Sequence, residues 1–249
     1  MPEIVFFISI FFIGVFASTF GTMVGGGTLL SLPFLMLLGL PPQVAVATER
    51  FGGLGQTFAA FYKFSRSKKI DWKYVPLLSI VSSVGSIIGA QILVNINPAL
   101  LHNAIGIILL ALLPLSFLKR NLGVEHTKVS STKIIIGSIV YFFVQIFASF
   151  FGGGTGILIA YTLMFFFGLT ILEATATKII PWFFLSLVSL IIFAQNGIIN
   201  YKLGIILFAG MTVGGYLGAH IAIKKGDAWI KRIFYLLVLI TIMKLLFFK

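Results

Sequence analysis

The sequence contains no cysteine among its 249 residues and few acidic side chains. The absence of cysteine excludes disulfides, cysteine-ligated metals and thiol catalysis. Six acidic residues and three histidines, scattered along the chain, are too few to indicate a metal site. We therefore expect neither a bound metal nor another cofactor. Motifs of phosphate loops, nucleophile elbows and dinucleotide sites are also absent from the sequence, so an enzyme is not predicted.

Charge of either sign is scarce as well. Only 10% of the residues are charged and 59% are hydrophobic, and the mean hydropathy is +1.12. Apolar runs of about twenty residues recur along the whole chain, which is the length of a membrane-spanning helix and not of a barrel strand. The first run lacks a basic start and a processing site, so we expect it to be retained. The composition predicts an all-α polytopic membrane protein.

The positive charges are confined to a few places. Most of the eighteen Lys and Arg residues lie in or beside the connections 63–73, 119–133 and 224–232. Such clusters are typical of cytoplasmic loops of membrane proteins, and they explain the net charge of +12 without nucleic acid. We expect membrane lipid as a partner and no nucleic acid, and a homodimer is compatible with the sequence.

A triple glycine interrupts the apolar sequence twice. The first run is Gly25-Gly26-Gly27 followed by Thr28, and the second is Gly152-Gly153-Gly154 followed by Thr155. Glycine resists helix, and lipid cannot satisfy the backbone groups that are left unpaired. Non-helical backbone at membrane depth is tolerated where it lines a polar cavity. The two breaks therefore predict one substrate cavity built from both, although glycines that only permit close helix packing are the alternative.

The second half of the chain repeats the first. The two glycine runs are 127 residues apart, and Ala45-Val46-Ala47-Thr48 matches Ala174-Thr175-Ala176-Thr177 at a spacing of 129. Gly85 and Gly89 match Gly214 and Gly218 at the same spacing. We predict a first membrane repeat at 1–118, a cytoplasmic linker at 119–132 and a second membrane repeat at 133–249.

Loop charge predicts that the two repeats have opposite orientations. In the first half the connection 63–73 is basic and the next one, 95–98, is uncharged. In the second half the order is reversed, since 195–202 carries one lysine and 224–232 carries four basic residues. An inverted repeat requires an odd number of crossings per half. We expect a glycine-broken or re-entrant helix pair followed by three transmembrane helices in each half; five full spans per half is the alternative. The predicted helices lie over 3–20, 28–38, 43–64, 74–94 and 98–118 in the first half and over 133–151, 155–167, 170–194, 201–224 and 228–248 in the second.

Each glycine run is followed by a short apolar segment, 28–38 or 155–167, which is too short to cross a membrane unaided. We predict that Thr28 and Thr155 begin short helices near the midplane. A helix start carries free N–H groups and about half a positive charge, and a threonine hydroxyl can cap it or contact a ligand. Two such starts that converge would suit a small anionic substrate.

Charged residues within the spans add to this prediction. Arg50 and Lys178 lie in matching helices, and intramembrane charges usually line a functional pathway. We expect them on either side of the site, Arg50 toward the outer face and Lys178 toward the inner face. The alternative is that Arg50 pairs with Glu49 or snorkels and that Lys178 pairs with Glu173. The same two carboxylates are candidates for coupling or gating, and Thr48 and Thr177 are candidate neutral donors.

The combined pattern resembles the TauE/SafE sulfite exporter family. The resemblance covers nearly the whole chain and rests on two series of motifs: Gly25-Gly26-Gly27-Thr28, Gly39-Leu40-Pro41-Pro42, Ala47-Thr48 and Gly85-Ser86-Ile87-Ile88-Gly89-Ala90 in the first half; Gly152-Gly153-Gly154-Thr155, Glu173-Ala174-Thr175-Ala176-Thr177-Lys178 and Gly214-Gly215-Tyr216-Leu217-Gly218-Ala219 in the second. It implies a secondary transporter of a small sulfur-containing anion, such as sulfite, thiosulfate or an organosulfonate, in the cytoplasmic membrane. Export is the expected direction, because an inside-negative potential drives anions outward. An anion channel with the same glycine-lined constriction is the alternative.

Overall fold

The chain folds into α-helices throughout the part described by the computed structural model, which covers residues 3–97, 123–152 and 154–247. The helices, numbered in chain order within those ranges, are α1 Glu3–Val24, α2 Thr28–Leu37, α3 Pro42–Ser65, α4 Val75–Asn95, α5 Ser131–Phe150, α6 Thr155–Phe167, α7 Ile171–Thr177, α8 Ile179–Gln195 and α9 Tyr201–Phe247. No strand occurs in these ranges, so the all-helical prediction is confirmed there.

Five helical segments within the described ranges are long and apolar enough to cross a membrane: Ile4–Val24, Val75–Asn95, Ser131–Phe150, Ile171–Gln195 and Tyr201–Ile230. The helices that follow the glycine runs, α2 and α6, are apolar but shorter. Large apolar side chains such as Ile4, Phe16 and Ile80 are exposed on the outside of the bundle. This surface suits lipid rather than water, as expected for a multi-pass membrane protein.

The first glycine break begins later than the sequence predicts. We expected the first helix to end at residue 20, but α1 continues through Gly21 to Val24. The N–H of Gly25 still bonds to the Gly21 carbonyl at 2.9 Å, and the chain turns only at Gly25, where φ is +86°. A single glycine within a packed helix does not end that helix. The helix ends where the backbone enters the left-handed conformation, which glycine adopts readily.

The second break has the same character. Helix α5 ends at Phe150, Gly152 and Gly154 both have positive φ, and α6 begins at Thr155 as predicted. Gly153 lies outside the described residues. The predicted helix over 98–118 also lies outside them.

The later helices differ from the sequence prediction in detail. The predicted helix over 170–194 appears as α7 and α8, which meet at Lys178 with its backbone still in the helical region. Helix α9 contains a non-helical residue, Gly226, with φ 74° and ψ −179°. The predicted division between two helices near 224–228 is therefore confirmed.

Glycines set how closely four of the helices approach. Gly214 and Gly218 of α9 lie against the backbone of α1 at Val15 and Thr19, so a Cβ at either position would overlap it. Gly85 and Gly89 of α4 lie in the same way against α5. Helix α3 packs against α9, and α8 packs against α4. Helices α3 and α8 also pack on each other, which brings Arg50 and Lys178 into one region.

Two buried apolar clusters fill the bundle, and both glycine breaks lie where the clusters adjoin. Val24 and Ile157 belong to one cluster, and Leu32 and Phe151 belong to the other. Each break is therefore flanked by apolar side chains that exclude water from all but a small polar cavity.

Candidate functional site

The two glycine breaks lie next to each other, the first against the start of α6 and the second beside Thr28. The backbone of Gly25 lies so close to that of Gly156 that a Cβ on either residue would overlap the other. A Cβ at Gly152 would lie 3.3 Å from a guanidinium nitrogen of Arg50 and 3.3 Å from the methyl group of Thr28. Only hydrogen atoms fit between these backbones, which explains the need for glycine on both sides.

A cavity of about 40 Å³ opens at this meeting point. It is lined by both breaks and by the charged residues of α3 and of the α7–α8 junction: Gly21, Gly25, Gly27, Thr28, Glu49, Arg50, Gly53, Gln56, Thr57, Gly152, Gly156, Lys178, Ile179 and Trp182. The structure thus brings together six predicted site residues besides Glu49: Gly25, Gly27, Thr28, Arg50, Gly152 and Lys178. Gly26, Gly154 and Thr155 belong to the breaks but do not line the cavity.

Arg50 is buried and holds the end of α5. Its guanidinium donates to the carbonyls of Ala148 and Ser149, two of the carbonyls left without intrahelical partners at a helix end. A cation here also opposes the negative end of the helix dipole. The guanidinium carbon lies 4.9 Å from the ring centre of Trp182. The Nε atom of Arg50 is buried and has no hydrogen-bond partner in the described chain.

Lys178 is 6% exposed and faces the cavity. Within the described ranges its ammonium group makes no hydrogen bond or ion pair. The alternative that Lys178 pairs with Glu173 is wrong. Glu173 instead lies 2.9 Å from His126 Nδ1 and accepts the backbone N–H of Thr170 at 2.9 Å, as part of a capping box that starts α7.

Glu49 is the one carboxylate in the cavity wall. Its Oε1 accepts hydrogen bonds from Thr28 Oγ1 at 3.1 Å and Ser31 Oγ at 3.2 Å. No contact of salt-bridge length joins it to Arg50, although the two residues are adjacent in α3; the one such bridge among the described residues is that of His126 and Glu173. The cavity therefore presents two basic groups and one acidic group within a buried region, an arrangement that favours an anion.

The starts of α2 and α6 offer fewer free donors to the cavity than the sequence predicts. The N–H groups of Leu29 and Leu30 bond to the carbonyls of Gly26 and Gly27, so part of the first turn of α2 is already satisfied. Neither threonine hydroxyl caps its helix: Thr28 Oγ1 donates to Glu49, and Thr155 Oγ1 donates to the Gly152 carbonyl at 2.7 Å. Side-chain charge, more than free backbone N–H groups, makes this cavity favourable for an anion.

The two predicted neutral donors lie outside the cavity and hold connections in place. Thr48 Oγ1 accepts the backbone N–H of Asn200 at 3.0 Å, and Thr177 Oγ1 accepts that of Asp71 at 2.9 Å. Glu173 also lies outside the cavity wall. Asp71 and Asn200 are themselves 129 residues apart, a spacing that could have drawn attention to these pairs.

Several cavity residues carry no strong signal in the sequence. Gly53 and Thr57 follow Glu49 at intervals of four residues on α3, and Trp182 follows Lys178 at the same interval. Residues four apart share a helix face, so this periodicity from a charged residue is the signal that could have found them. Gln56 also lines the cavity and donates to Thr22 Oγ1 at 3.0 Å.

Comparisons with known proteins agree with this architecture. The family described as "Sulfite exporter TauE/SafE" matches residues 10–245. The "Probable membrane transporter protein" of Haemophilus influenzae is 27% identical over 222 residues, which cover 89% of this chain and 87% of that protein. The "Probable membrane transporter protein YfcA" of Escherichia coli K12 is 24% identical over 238 residues, which cover 96% and 88% of the two chains.

A third relative is the "Probable membrane transporter protein ORF9" of a Sinorhizobium species, which is 27% identical over 247 residues and covers 97% of this chain and 92% of its own. No solved structure matches. With the family match over nearly the whole chain, the five long apolar helices and the polar cavity at their centre, this chain belongs to the TauE/SafE sulfite exporter family and is a multi-pass membrane transporter, not an enzyme.

Proposed function

We propose that the protein is a secondary transporter that exports a small sulfur-containing anion, which binds in the cavity between the two glycine breaks. The observation that carries the proposal is the pair of buried basic groups in the cavity wall. Arg50 has an Nε without a hydrogen-bond partner, and the ammonium group of Lys178, which lines the cavity, takes part in no ion pair among the described residues. Neither group has a partner of opposite charge at salt-bridge distance among the described residues, and a buried charge without one is costly; a bound anion lowers that cost for both groups.

The size of the cavity bears on the substrate. A water molecule needs about 10–15 Å³ by the same measure, so a cavity of about 40 Å³ has room for about three water-sized groups. Sulfite is of that size, whereas thiosulfate and an organosulfonate are larger and require the cavity to widen. Oxyanion oxygens accept well from guanidinium and ammonium groups, and the guanidinium adds directional contacts. Within the substrate class implied by the family, sulfite fits this conformation best.

Two sets of contacts support an inverted-repeat architecture. Thr48 of the first half bonds to the connection before α9, and the matching Thr177 of the second half bonds to the connection before α4. The glycine contacts also join the two halves. Helix α4 of the first half packs on α5 of the second, and α9 of the second half packs on α1 of the first. Such an exchange is what a pseudo-two-fold axis between two repeats produces, and loop charge favours an axis in the membrane plane.

Glu49 is the candidate for coupling. It faces the same cavity as the anion and has two hydroxyl donors, so its protonation would change the net charge of the site. Glu173 lies outside the cavity wall, and its bonds to Thr170 and His126 suit a role at the end of α7 instead. In the proposed cycle an anion leaves the cell down the membrane potential, with Glu49 linking its binding to a proton.

Radiolabelled sulfite flux in proteoliposomes tests the proposal. We expect saturable uptake, driven by an imposed potential, that is lost in the double variant Arg50→Ala, Lys178→Ala. A variant with the same change of charge at two exposed positions, Arg66→Ala, Lys225→Ala, serves as the control and should transport normally. Flux of the Arg50, Lys178 double variant equal to that of the control would refute a site built on these two charges.

The same preparation distinguishes a carrier from a channel. A carrier exchanges anions, so unlabelled sulfite inside the vesicles should accelerate uptake of labelled sulfite from outside. A channel with this glycine-lined constriction would show no such counterflow and would not saturate at low substrate concentration.

A further inference from the structure

A second group of buried polar side chains lies beside the cavity, between α4, α5 and α8. We call it the α4–α5–α8 seam and define it by six residues that are each less than 1% exposed: Ser82, Ser86, Tyr141, Gln145, Ser149 and Ser186. Most neighbouring positions on these helices are apolar. The cavity wall does not include any of the six.

The seam is continuous with the cavity. Arg50 of the cavity wall bonds to the Ser149 carbonyl, and Ser149 Oγ donates to the Ser86 carbonyl at 3.0 Å. On the other side, Lys178, Trp182 and Ser186 are spaced four residues apart, so they lie on one face of the α7–α8 helix. The same face thus runs from the charged cavity into the seam.

Hydrogen bonding in the seam is incomplete. Neither polar atom of the Gln145 amide makes a hydrogen bond of normal geometry, although the amide lies close enough to the Tyr141 hydroxyl for a weak, poorly aligned one. Ser186 Oγ lacks a partner as well. These atoms are also out of reach of solvent in this conformation. Buried polar groups are nearly always satisfied, so these atoms call for a partner that the described chain does not supply, and water that enters the seam is such a partner.

The corresponding interface of the repeat, between α1 and α9, serves as an internal control. The repeat spacing matches Tyr141 and Gln145 of α5 with Gly14 and Ser18 of α1, and Ser82 of α4 with Met211 of α9. At these three positions the matching interface has two small side chains and one large apolar one, and Ser18 Oγ is satisfied by the Met211 carbonyl at 2.7 Å. Packing of this helix pair therefore does not require a large polar residue at either position.

We infer that the α4–α5–α8 seam is a closed segment of the route by which the anion reaches or leaves the cavity. The seam opens when α5 moves relative to α4 and α8, and water then solvates Gln145, Tyr141 and Ser186. Neutral amide and hydroxyl donors suit an oxyanion in passage, because they bind it without the strong attraction of a fixed positive charge. This inference rests on the proposed function for the identity of the solute, but not for the opening of the seam.

The protein has no cysteine, so single cysteines can be introduced into the natural chain without a prior substitution. The test uses Ser82→Cys, Gln145→Cys and Ser186→Cys in proteoliposomes, with a charged, membrane-impermeant methanethiosulfonate reagent and no substrate present. Ser18→Cys and Met211→Cys are the matched controls at pseudo-equivalent positions. Ile80→Cys, on the lipid-facing surface, is the control for reaction through lipid.

Thiols react as thiolates and need water, so we expect the seam cysteines to be modified at least about tenfold faster than all three controls. Unreactive seam cysteines, or equal rates at Ser18→Cys and Met211→Cys, would overturn the inference. Three independent positions keep the test decisive if one variant folds poorly. A reactive seam without sulfite flux would retain the route and reject the proposed substrate, whereas sulfite flux with an unreactive seam would reject the route alone.

Discussion

The hydroxyl of Thr48 in α3 accepts a hydrogen bond from the backbone N–H of Asn200, 152 residues further along the chain, at 3.0 Å. Thr177 forms the corresponding bond with Asp71. Each bond joins a helix of one half, α3 or α7, to the connection that precedes a helix of the other half, α9 or α4. The two halves are therefore tied together at two points outside the cavity wall, by side chains that the sequence had suggested as ligands.

Replacement of Thr48 or Thr177 by valine should lower stability more than it lowers substrate affinity. Valine keeps the shape but leaves a partly buried N–H without an acceptor, at a cost of about 1–3 kcal/mol. We expect a lower unfolding temperature in detergent and an unchanged KM for sulfite. Thr212→Val is the matched control, because its hydroxyl bonds only to a carbonyl of its own helix, that of Phe208. A raised KM with normal stability would instead place these threonines at the substrate.

The Arg50→Lys substitution should separate charge from geometry. Lysine keeps the positive charge but offers a single ammonium group, which cannot hold the α5 carbonyls, stack on Trp182 and reach the cavity at once. We expect folded protein with sulfite flux reduced by about tenfold or more, the scale of one lost charge-assisted contact. Thermal unfolding and flux measured on the same preparation check this prediction. Flux equal to wild type would mean that the charge alone suffices.

The sequence predicted the breaks, the short helices after them and the two basic groups, because each depends on local properties. A glycine triplet resists helix, and a lysine within an apolar helix is costly wherever that helix packs. The roles of Thr48 and Trp182 depend instead on which helices meet. The end of α1 was misplaced for the same reason, since close packing of Gly21 near Gly27 sustains a helix that isolated propensity would end.

Alanine at Gly25 should prevent correct assembly. The added Cβ would overlap the backbone of Gly156, and the positive φ of Gly25 is unfavourable for any L-residue. We expect Gly25→Ala to reduce the yield of monodisperse protein in detergent. Gly39→Ala is the matched control, because Gly39 also has a positive φ but no neighbour within 4 Å of its added Cβ. Equal yields of the two variants would show that the close approach of the two breaks is not required.

Alanine at Gly53 should have the opposite effect on the fold. Gly53 lies within α3, and a Cβ there meets nothing within 4 Å because it points into the cavity. Alanine in place of a helical glycine adds about 0.5–1 kcal/mol of stability, yet the methyl group takes part of a cavity of about 40 Å³. We expect a higher unfolding temperature together with a raised KM for sulfite. An unchanged KM would place the anion elsewhere.

The Glu49→Gln substitution removes the one negative charge from the cavity wall and leaves its hydrogen bonds intact. The amide oxygen can still accept from Thr28 and Ser31, so the local structure should be retained. Loss of a carboxylate next to the anion should tighten sulfite binding by about tenfold or more, because charges interact strongly in a buried site.

If Glu49 links transport to a proton, the variant should also lose the acceleration of flux by an imposed pH gradient while it continues counterflow. Measurement of both fluxes in one set of vesicles checks the two effects, with Glu173→Gln as the control outside the cavity. Gradient-driven flux that persists in Glu49→Gln and disappears in Glu173→Gln would assign coupling to the carboxylate that bonds to His126 instead.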